Sequence, residues 1–356
     1  MAIVDKTTVC PDIVALAAAH GLIVRHLDET EDDWRLVLRA GTPHTTEYVP
    51  SLMAYFVSYN REAQPGTHEL SVVIYNDGIP CGIWPFNLQC LEGRLRCGSN
   101  MGPVLPPSFR PDVSARIEKR LARTCFAVVE DICRLVGEEQ WRGRALLDDD
   151  AIGEWHRRIM EAGATVAVTH DLWCDLSQPA DALWANVRKS YRPLISKARR
   201  LWRTEILREA DDAQIDELRR FHAAIAGRET RSIATWKAQG ACINAGEAFA
   251  VLLRDANARL VGAGIFHCSH ASASYATGIY DRSLFRSPIG HLVQALAIEE
   301  MKARGITWYR LGRRNYAGEP SRPDAKEQSI GLFKEGFASK TRLLLDTTCP
   351  LAADPE

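Results

Sequence analysis

Two tandem α/β domains with mixed sheets are the architecture this sequence predicts, and three observations carry the prediction. At 356 residues the chain is longer than one hydrophobic core usually organises. Its 46% hydrophobic and 25% charged residues are those of an ordinary globular protein, so large cores are affordable. Finally, the two halves repeat one order of β-like runs and amphipathic helical stretches, reading β-β-β-α-β-α-β, the pattern of sheets layered with helices.

Taken in order, residues 13–24 (IVALAAAHGLIV) predict a buried helix, and residues 1–45 an α/β preamble to the first domain. ELSVVIYNDGIPCGIWPFNLQ at 69–89 reads as a hairpin: Val72-Val73-Ile74 suits a buried strand and Asn-Asp-Gly a tight turn. A third strand over 91–98 and a Pro-containing loop follow, then a long helix over 113–136, a strand at 143–147, a helix at 151–162 and a final strand. In the second half AFAVLLRDANARLVGAGIFHC at 248–268 is again a hairpin, with Val251-Leu252-Leu253 as the buried run. A strand at 273–280, a helix at 289–303 with Leu292, Leu296 and Ile298 beside Val293 and Ala297 as its apolar positions, a strand at 307–311, a helix at 328–338 and a final strand complete it. The period is far too long for a solenoid. The bridge falls around 176–210, giving expected domains at 1–177 and 178–356.

Several classes are excluded. A net charge of −1 is no global adaptation to nucleic acid, so DNA is not an expected partner. No apolar run approaches the roughly 18 residues that span a bilayer, and 13–24 lacks the basic flank of a signal segment. The ten cysteines (10, 81, 90, 97, 125, 133, 174, 242, 268 and 349) include no Cys-x-x-Cys pair, so no metal is expected and a reducing cytoplasm is the natural setting. His267 and His270 flank Cys268-Ser269, but strand residues three apart face opposite ways and share no ion.

Two segments carry chemistry. Residues 183–203, LWANVRKSYRPLISKARRLWR, hold Arg188, Lys189, Arg192, Lys197, Arg199, Arg200 and Arg203 without one acid. Val187, Tyr191, Leu194, Ile195, Ala198 and Trp202 recur at helical spacing, so one face is apolar and the rest cationic. Pro193 splits the pattern and places a new helix near Arg192, where free N–H groups and guanidinium forks suit a phosphate. A solvated linker helix fits the same residues. Base stacking by Trp184, Tyr191 and Trp202 fits less well, because the last two fall on the apolar face. The second segment is GLFKEGF at 331–337. Phe333 and Phe337 share a helix face and Lys334 projects beside them, a pinned cation suited to an anionic ligand.

Together NVRKSYRPLISKARR, the hairpin at 248–268, Pro288 before a long helix, RGITWYRLG and GLFKEGF make the chain resemble Fem-type peptidyltransferases and the BioF2-like acetyltransferase domain of the GNAT superfamily. The likeness covers about 178–345 directly and the first half through repeated architecture. It implies tandem GNAT-like domains. Fem-type members move an amino acid from aminoacyl-tRNA to an amine of a cell-wall precursor; BioF2-like members use acyl-CoA. The family's phosphate-facing lysine maps onto Lys334, with Phe333 beside it, and its Thr-x-x-Arg element onto a compressed Glu229-Thr230-Arg231, making Arg231 a substrate residue together with Arg188 and Arg192. The GNAT donor loop, [Arg/Gln]-x-x-Gly-x-[Gly/Ala] opening a helix, falls on Phe285 to Gly290. Gly290 takes the second small position, Pro288 stands where the first glycine would be, and Arg286 comes one place late, leaving Arg286, Ile289 and Gly290 as the expected cofactor contacts.

The implied reaction is attack of a neutral amine on a thioester or ester carbonyl. No Ser-His-Asp or Cys-His arrangement is visible, which favours direct transfer. Candidate catalytic residues are Lys334, His267, Tyr280 and Asp281, with acyl-CoA or aminoacyl-tRNA as donor. The acceptor is an amine on a small molecule, a saccharide or a cell-envelope precursor. A non-catalytic binder of a phosphorylated ligand is the competing class.

Overall fold

The computed structural model describes residues 10–41, 46–60, 66–100, 102–147, 153–284, 286–319 and 321–351. The chain divides into two compact units: unit 1 is 1–42, 60–169 and 343–356, and unit 2 is 43–59 and 170–342. These are not consecutive halves. Residues 43–59, expected within the first domain, group with unit 2, while the C-terminal stretch returns to unit 1. Mixed α/β layering with several sheets is what the sequence predicted.

Unit 1 holds a four-stranded antiparallel sheet (Ile23–His26, Val72–Asn76, Ile79–Trp84, Ser108–Phe109) and a three-stranded one (His68–Glu69, Asn87–Leu91, Arg94–Gly98). Helix Ala115–Leu135 is started by Ser114, whose Oγ accepts from the Ile117 N–H at 3.4 Å, and it buries Leu121, Cys125, Phe126, Val129 and Ile132 in the unit's core. Two expectations need correction here. The apolar run at 13–24 is helical only over Ile13–Ala19, because Gly21 at φ +71° ends the helix and 23–26 pairs as a strand. The single strand expected at 91–98 is instead the turn and second arm of another hairpin, since Glu92 and Gly93 both take positive φ and form a two-residue turn.

In unit 2 the elements are α1 (Pro50–Asn60), β1 (Thr165–Asp175), α2 (Ala180–Asn186), α3 (Arg192–Leu201), β2 (Arg203–Leu207), α4 (Asp212–Ala226), α5 (Ile233–Asn244), β3 (Ala248–Arg254), β4 (Leu260–Cys268), β5 (Ser272–Tyr280), α6 (Ile289–Ala303), β6 (Trp308–Arg314), α7 (Ala325–Glu335) and β7 (Lys340–Pro350). Residues of β1 up to 169 and of β7 from 343 count with unit 1. The sheet order is β2-β3-β4-β5-β6-β1, antiparallel except for the β5–β6 pair. β4 is buried along its whole length. Its Gly262 and Gly264 leave the space in which α6 lies: a Cβ on either would stand 2.4 Å from Ile289 or Val293. The basic segment breaks where Pro193 placed the break, with α3 opening at Arg192.

Candidate functional site

The central strands of unit 2 part company. β5 and β6 pair only at Ser272–Trp308, Ala273–Tyr309 and Ser274–Arg310, although both strands run on. A register shift between Arg310 and Gly312 bends β6 at this point, and Gly312, at φ +100°, takes a backbone conformation that side-chain-bearing residues avoid. A cavity of about 360 Å³ begins where pairing ends. Ser274, Tyr275 and Ala276 of β5 and Arg310 and Gly312 of β6 form one wall, and Tyr55, Phe56 and Tyr59 of α1 the apolar opposite side.

Lys334 reaches this place through close backbone approach. Gly331 lets α7 lie on β6, its absent Cβ being 3.1 Å from the Asn315 nitrogen and 3.3 Å from the Arg314 Cα. The Lys334 ammonium then rests against Gly312, 3.0 Å from where a Cβ would be, and 5.6 Å from the centre of the Tyr275 ring. Burial lowers its pKa, the Asp171 carboxylate opposes that, and the Arg310 guanidinium adds to it; the net direction is down. Asp171 is fully buried, accepts from Arg310 Nε at 2.5 Å, and has its other oxygen, Oδ1, without a hydrogen-bond partner. Arg310 also pairs with Glu47. Burial alone would lower the Arg310 pKa, but the two carboxylates outweigh it and hold the guanidinium above its ordinary value.

Across the cavity, Arg231 is wedged between the Tyr59 and Trp236 rings, 5.5 and 5.4 Å from their centres, and donates to Thr277 Oγ1 at 2.9 Å. Its Nε and Nη1 are buried without hydrogen-bond partners, and among the described residues no carboxylate pairs with it. His267 also lines the cavity. It is 3% exposed, stands edge-on to Tyr55 and Phe56, and places Nε2 3.1 Å from Gln239 Oε1. Burial, with help from the Arg231 charge, pushes its pKa down to about 3, so the ring is neutral and a very weak base.

The other residues singled out in the sequence are distributed differently. Tyr280 hydrogen-bonds Tyr275 hydroxyl to hydroxyl at 2.7 Å; burial pushes Tyr275 up to about 12 and raises Tyr280 well above its ordinary value, so both stay phenols. Asp281 lies in a turn. It accepts from Ser283 N and Oγ at 3.0 and 2.6 Å and pairs with Arg259 at 3.2 Å, contacts that keep it a low-pKa carboxylate and assign it the end of β5. Arg192 caps the helix before it, donating to the carbonyls of Val187 (3.0 Å) and Ala185. Arg188 donates to the Tyr191 hydroxyl at 2.9 Å and lies over that ring. Phe333 joins Tyr191, His291 and Phe337 in an aromatic cluster. Arg286 is exposed, Ile289 is buried against β4, and Gly290 packs on Phe333, its absent Cβ being 3.3 Å from that ring. Phe285 lies outside the described residues. His267 and Arg231 thus line one cavity and Lys334 lies against two of its lining residues, Gly312 and Tyr275, while Arg188 and Phe333 are engaged with Tyr191 and Arg192 with the preceding helix. Sequence reading missed Glu47, Tyr55, Asp171, Tyr275, Arg310 and Gly312. A charged pair inside two apolar strands (HDLWCD, WYRLGRR) was the available signal.

No protein-family model matches the chain, and no curated protein matches it by sequence. Among solved structures it is similar to FemX, with 10% identity over 86% of this chain and 95% of that one and a TM-score of 0.62. It is also similar to L-PGS from Bacillus licheniformis (12% identity, 86% and 94% coverage, TM-score 0.53). A third likeness is to a C-terminal DUF2156 domain from Agrobacterium fabrum (11%, 93% and 92%, TM-score 0.52). At such identities the likeness is one of fold alone: the chain shares the mixed α/β architecture of FemX and of these two proteins.

Proposed function

We propose that unit 2 is an N-acyltransferase that moves an acyl group from acyl-CoA to an amine of a small-molecule, saccharide or cell-envelope acceptor by direct transfer. The observation that carries this reading is the parting of β5 from β6 around a cavity two of whose lining residues, Gly312 and Tyr275, lie against the Lys334 ammonium. A strand edge freed from its partner offers unpaired backbone groups to an extended amide-bearing arm such as pantetheine. α6 begins shortly after that strand; the Ile289 N–H is taken by the Ser287 carbonyl at 2.9 Å, which leaves the turn at Gly290, with the exposed Arg286 before it, as the part of the helix start suited to a pyrophosphate.

The chemistry follows from the charges. The amine must be neutral, and both the apolar wall of Tyr55, Phe56 and Tyr59 and the cations Arg231 and Lys334 disfavour its ammonium form. His267 is too weakly basic, and Tyr280 and Asp281 are unsuited, to serve as the base. Nitrogen attacks the carbonyl, the C–N bond forms, and Lys334 stabilises charge on the oxyanion or on a donor phosphate. The C–S bond then breaks. Tyr275 protonates the leaving thiolate and recovers a proton, ultimately the amine's, through the Tyr280 hydroxyl. Arg231, with two unfilled donors, suits an anionic group of the acceptor.

Transfer of radiolabel from a panel of acyl-CoAs to amine acceptors tests the reading. Lys334→Ala should cut the rate by on the order of a hundredfold at an unchanged melting temperature; full retained activity would remove Lys334 from the mechanism. A second reading, an aminoacyl-tRNA donor, is favoured by the exposed cations Lys189, Lys197, Arg200 and Arg203 around α3. It requires RNase-sensitive activity and a steep fall of tRNA affinity with salt.

A further inference from the structure

Unit 1 contains a cluster that has no part in this chemistry. Cys97 at the end of the strand Arg94–Gly98, Cys133 near the end of the helix Ala115–Leu135, and Glu138 just beyond that helix bring their side chains together. The thiols face each other with sulfurs 3.2 Å apart, and Cys133 Sγ is 3.6 Å from Glu138 Oε2. All three ligand-type atoms lie within 4.8 Å of one another. Neither cysteine is in a disulfide, and both are buried. Cys97 and Cys133 are 36 residues apart, so no short cysteine motif announces them.

We propose that Cys97, Cys133 and Glu138 form a binding site for one divalent metal of the zinc class, with two thiolate ligands and one carboxylate. Zinc bonds of about 2.3 Å to sulfur and 2.0 Å to oxygen, set tetrahedrally, place two sulfurs roughly 3.7 Å apart and sulfur and oxygen roughly 3.5 Å apart. The Cys133–Glu138 spacing already fits, and the thiol pair needs to open by about half an ångström. Backbone groups of the same three residues hold the carboxylate in place: the Cys97 N–H donates to Glu138 Oε2 at 2.8 Å, and the Glu138 N–H to the Cys133 carbonyl at 2.8 Å. A dication bound by two thiolates and a carboxylate carries one net negative charge. Cys97 and Glu138 open on a cavity of about 260 Å³ whose wall bears Arg96 and Arg142, two cations that offset that charge. The fourth coordination position faces this cavity and is available to water or a small anion. Binding releases the two thiol protons to solvent and involves no change of oxidation state.

Titration of cobalt(II) into the reduced full-length chain tests the site directly. Saturation is expected at one ion per chain, with thiolate-to-cobalt charge-transfer bands and intense tetrahedral d–d bands that zinc abolishes. Cys133→Ser and Cys97→Ser should each lose the charge-transfer intensity of one sulfur, Glu138→Gln should weaken affinity by roughly tenfold or more, and Cys90→Ser should change nothing. Should the cysteine variants fail to fold, alkylation mapping of the wild-type chain decides, since zinc must protect Cys97 and Cys133 and leave Cys90 reactive. Absence of charge-transfer bands, bands that survive Cys133→Ser in a folded chain, or a Cys97–Cys133 disulfide that forms equally fast with zinc present would each overturn the proposal.

Discussion

The residue on which most of the site turns is Gly312. It bends β6, stands at φ +100°, and leaves bare the spot where the Lys334 ammonium rests. Gly312→Ala therefore combines backbone strain with displacement of the cation. Expected are a stability loss of roughly 1–3 kcal/mol by denaturant titration and a transfer rate lower by on the order of tenfold to a hundredfold. A variant as stable and active as the parent would separate Lys334 from Gly312. His267 makes a prediction about pH. Its folded-state pKa of about 3 lies below the ordinary 6.5, so the unfolded chain takes up a proton that the native ring refuses. The stabilisation is complete above pH 6.5 and drains away as pH falls toward 3, on the order of 5 kcal/mol at the limit. His267→Gln should flatten this acid limb in plots of unfolding free energy against pH, and an unchanged slope would deny His267 that role. None of this can be read from HCSH alone, because burial against Tyr55 and Phe56 sets the titration.

At the scale of elements, local pattern was a good guide wherever the period was long and the breakers clear. The helix expected at 289–303 is α6, the break at Pro193 is the start of α3, and the hairpin of 248–268 is β3 and β4. It misled where a two-residue turn hid inside a short polar run, as at Glu92-Gly93. The GLFKEGF segment shows both sides. Its aromatic pair does pack together, but not on one helix face as expected: α7 ends at Glu335, so Phe337, fully buried, sits in the turn beyond it and Phe333, partly buried, on the last turn. Its two glycines, unremarked in the sequence, are what dock α7: Gly331 lies on β6, and Gly336 admits the Tyr191 ring, whose Cε2 would be 2.1 Å from an added Cβ. Gly336→Ala should dislodge Tyr191 from its cluster with His291, Phe333 and Phe337. The expected cost is roughly 1–3 kcal/mol in a thermal or denaturant melt, with activity falling in parallel because α7 carries Lys334. A neutral substitution there would mean that the cluster does not hold α7.

For the whole molecule, the division into units matters more than the count of domains. Unit 2 takes Glu47 and α1 from early in the chain and Asp171 from β1, all of them upstream of the boundary expected at 178. A fragment spanning 178–356 would leave Arg310 buried without either carboxylate, a loss of roughly 3–5 kcal/mol or more from a marginal domain. Such a fragment should show no cooperative melt by circular dichroism. A sharp transition close to that of the full chain would restore the simple two-halves picture. Among the described residues no helix is long and apolar enough to cross a membrane.

The division between what was legible and what was not follows from the range of the forces involved. Hydrophobic period, turn residues and proline act over a few neighbours, so the chain alone determined its mixed α/β class, most helices and hairpins, and the break at Pro193. Tertiary contact decided the rest, since desolvation and charge pairing depend on what lies alongside in space. It brought Glu47, Asp171 and Arg310 together, left two Arg231 donors unfilled, silenced His267 as a base, turned Arg192 into a helix cap and joined two distant cysteines to a carboxylate.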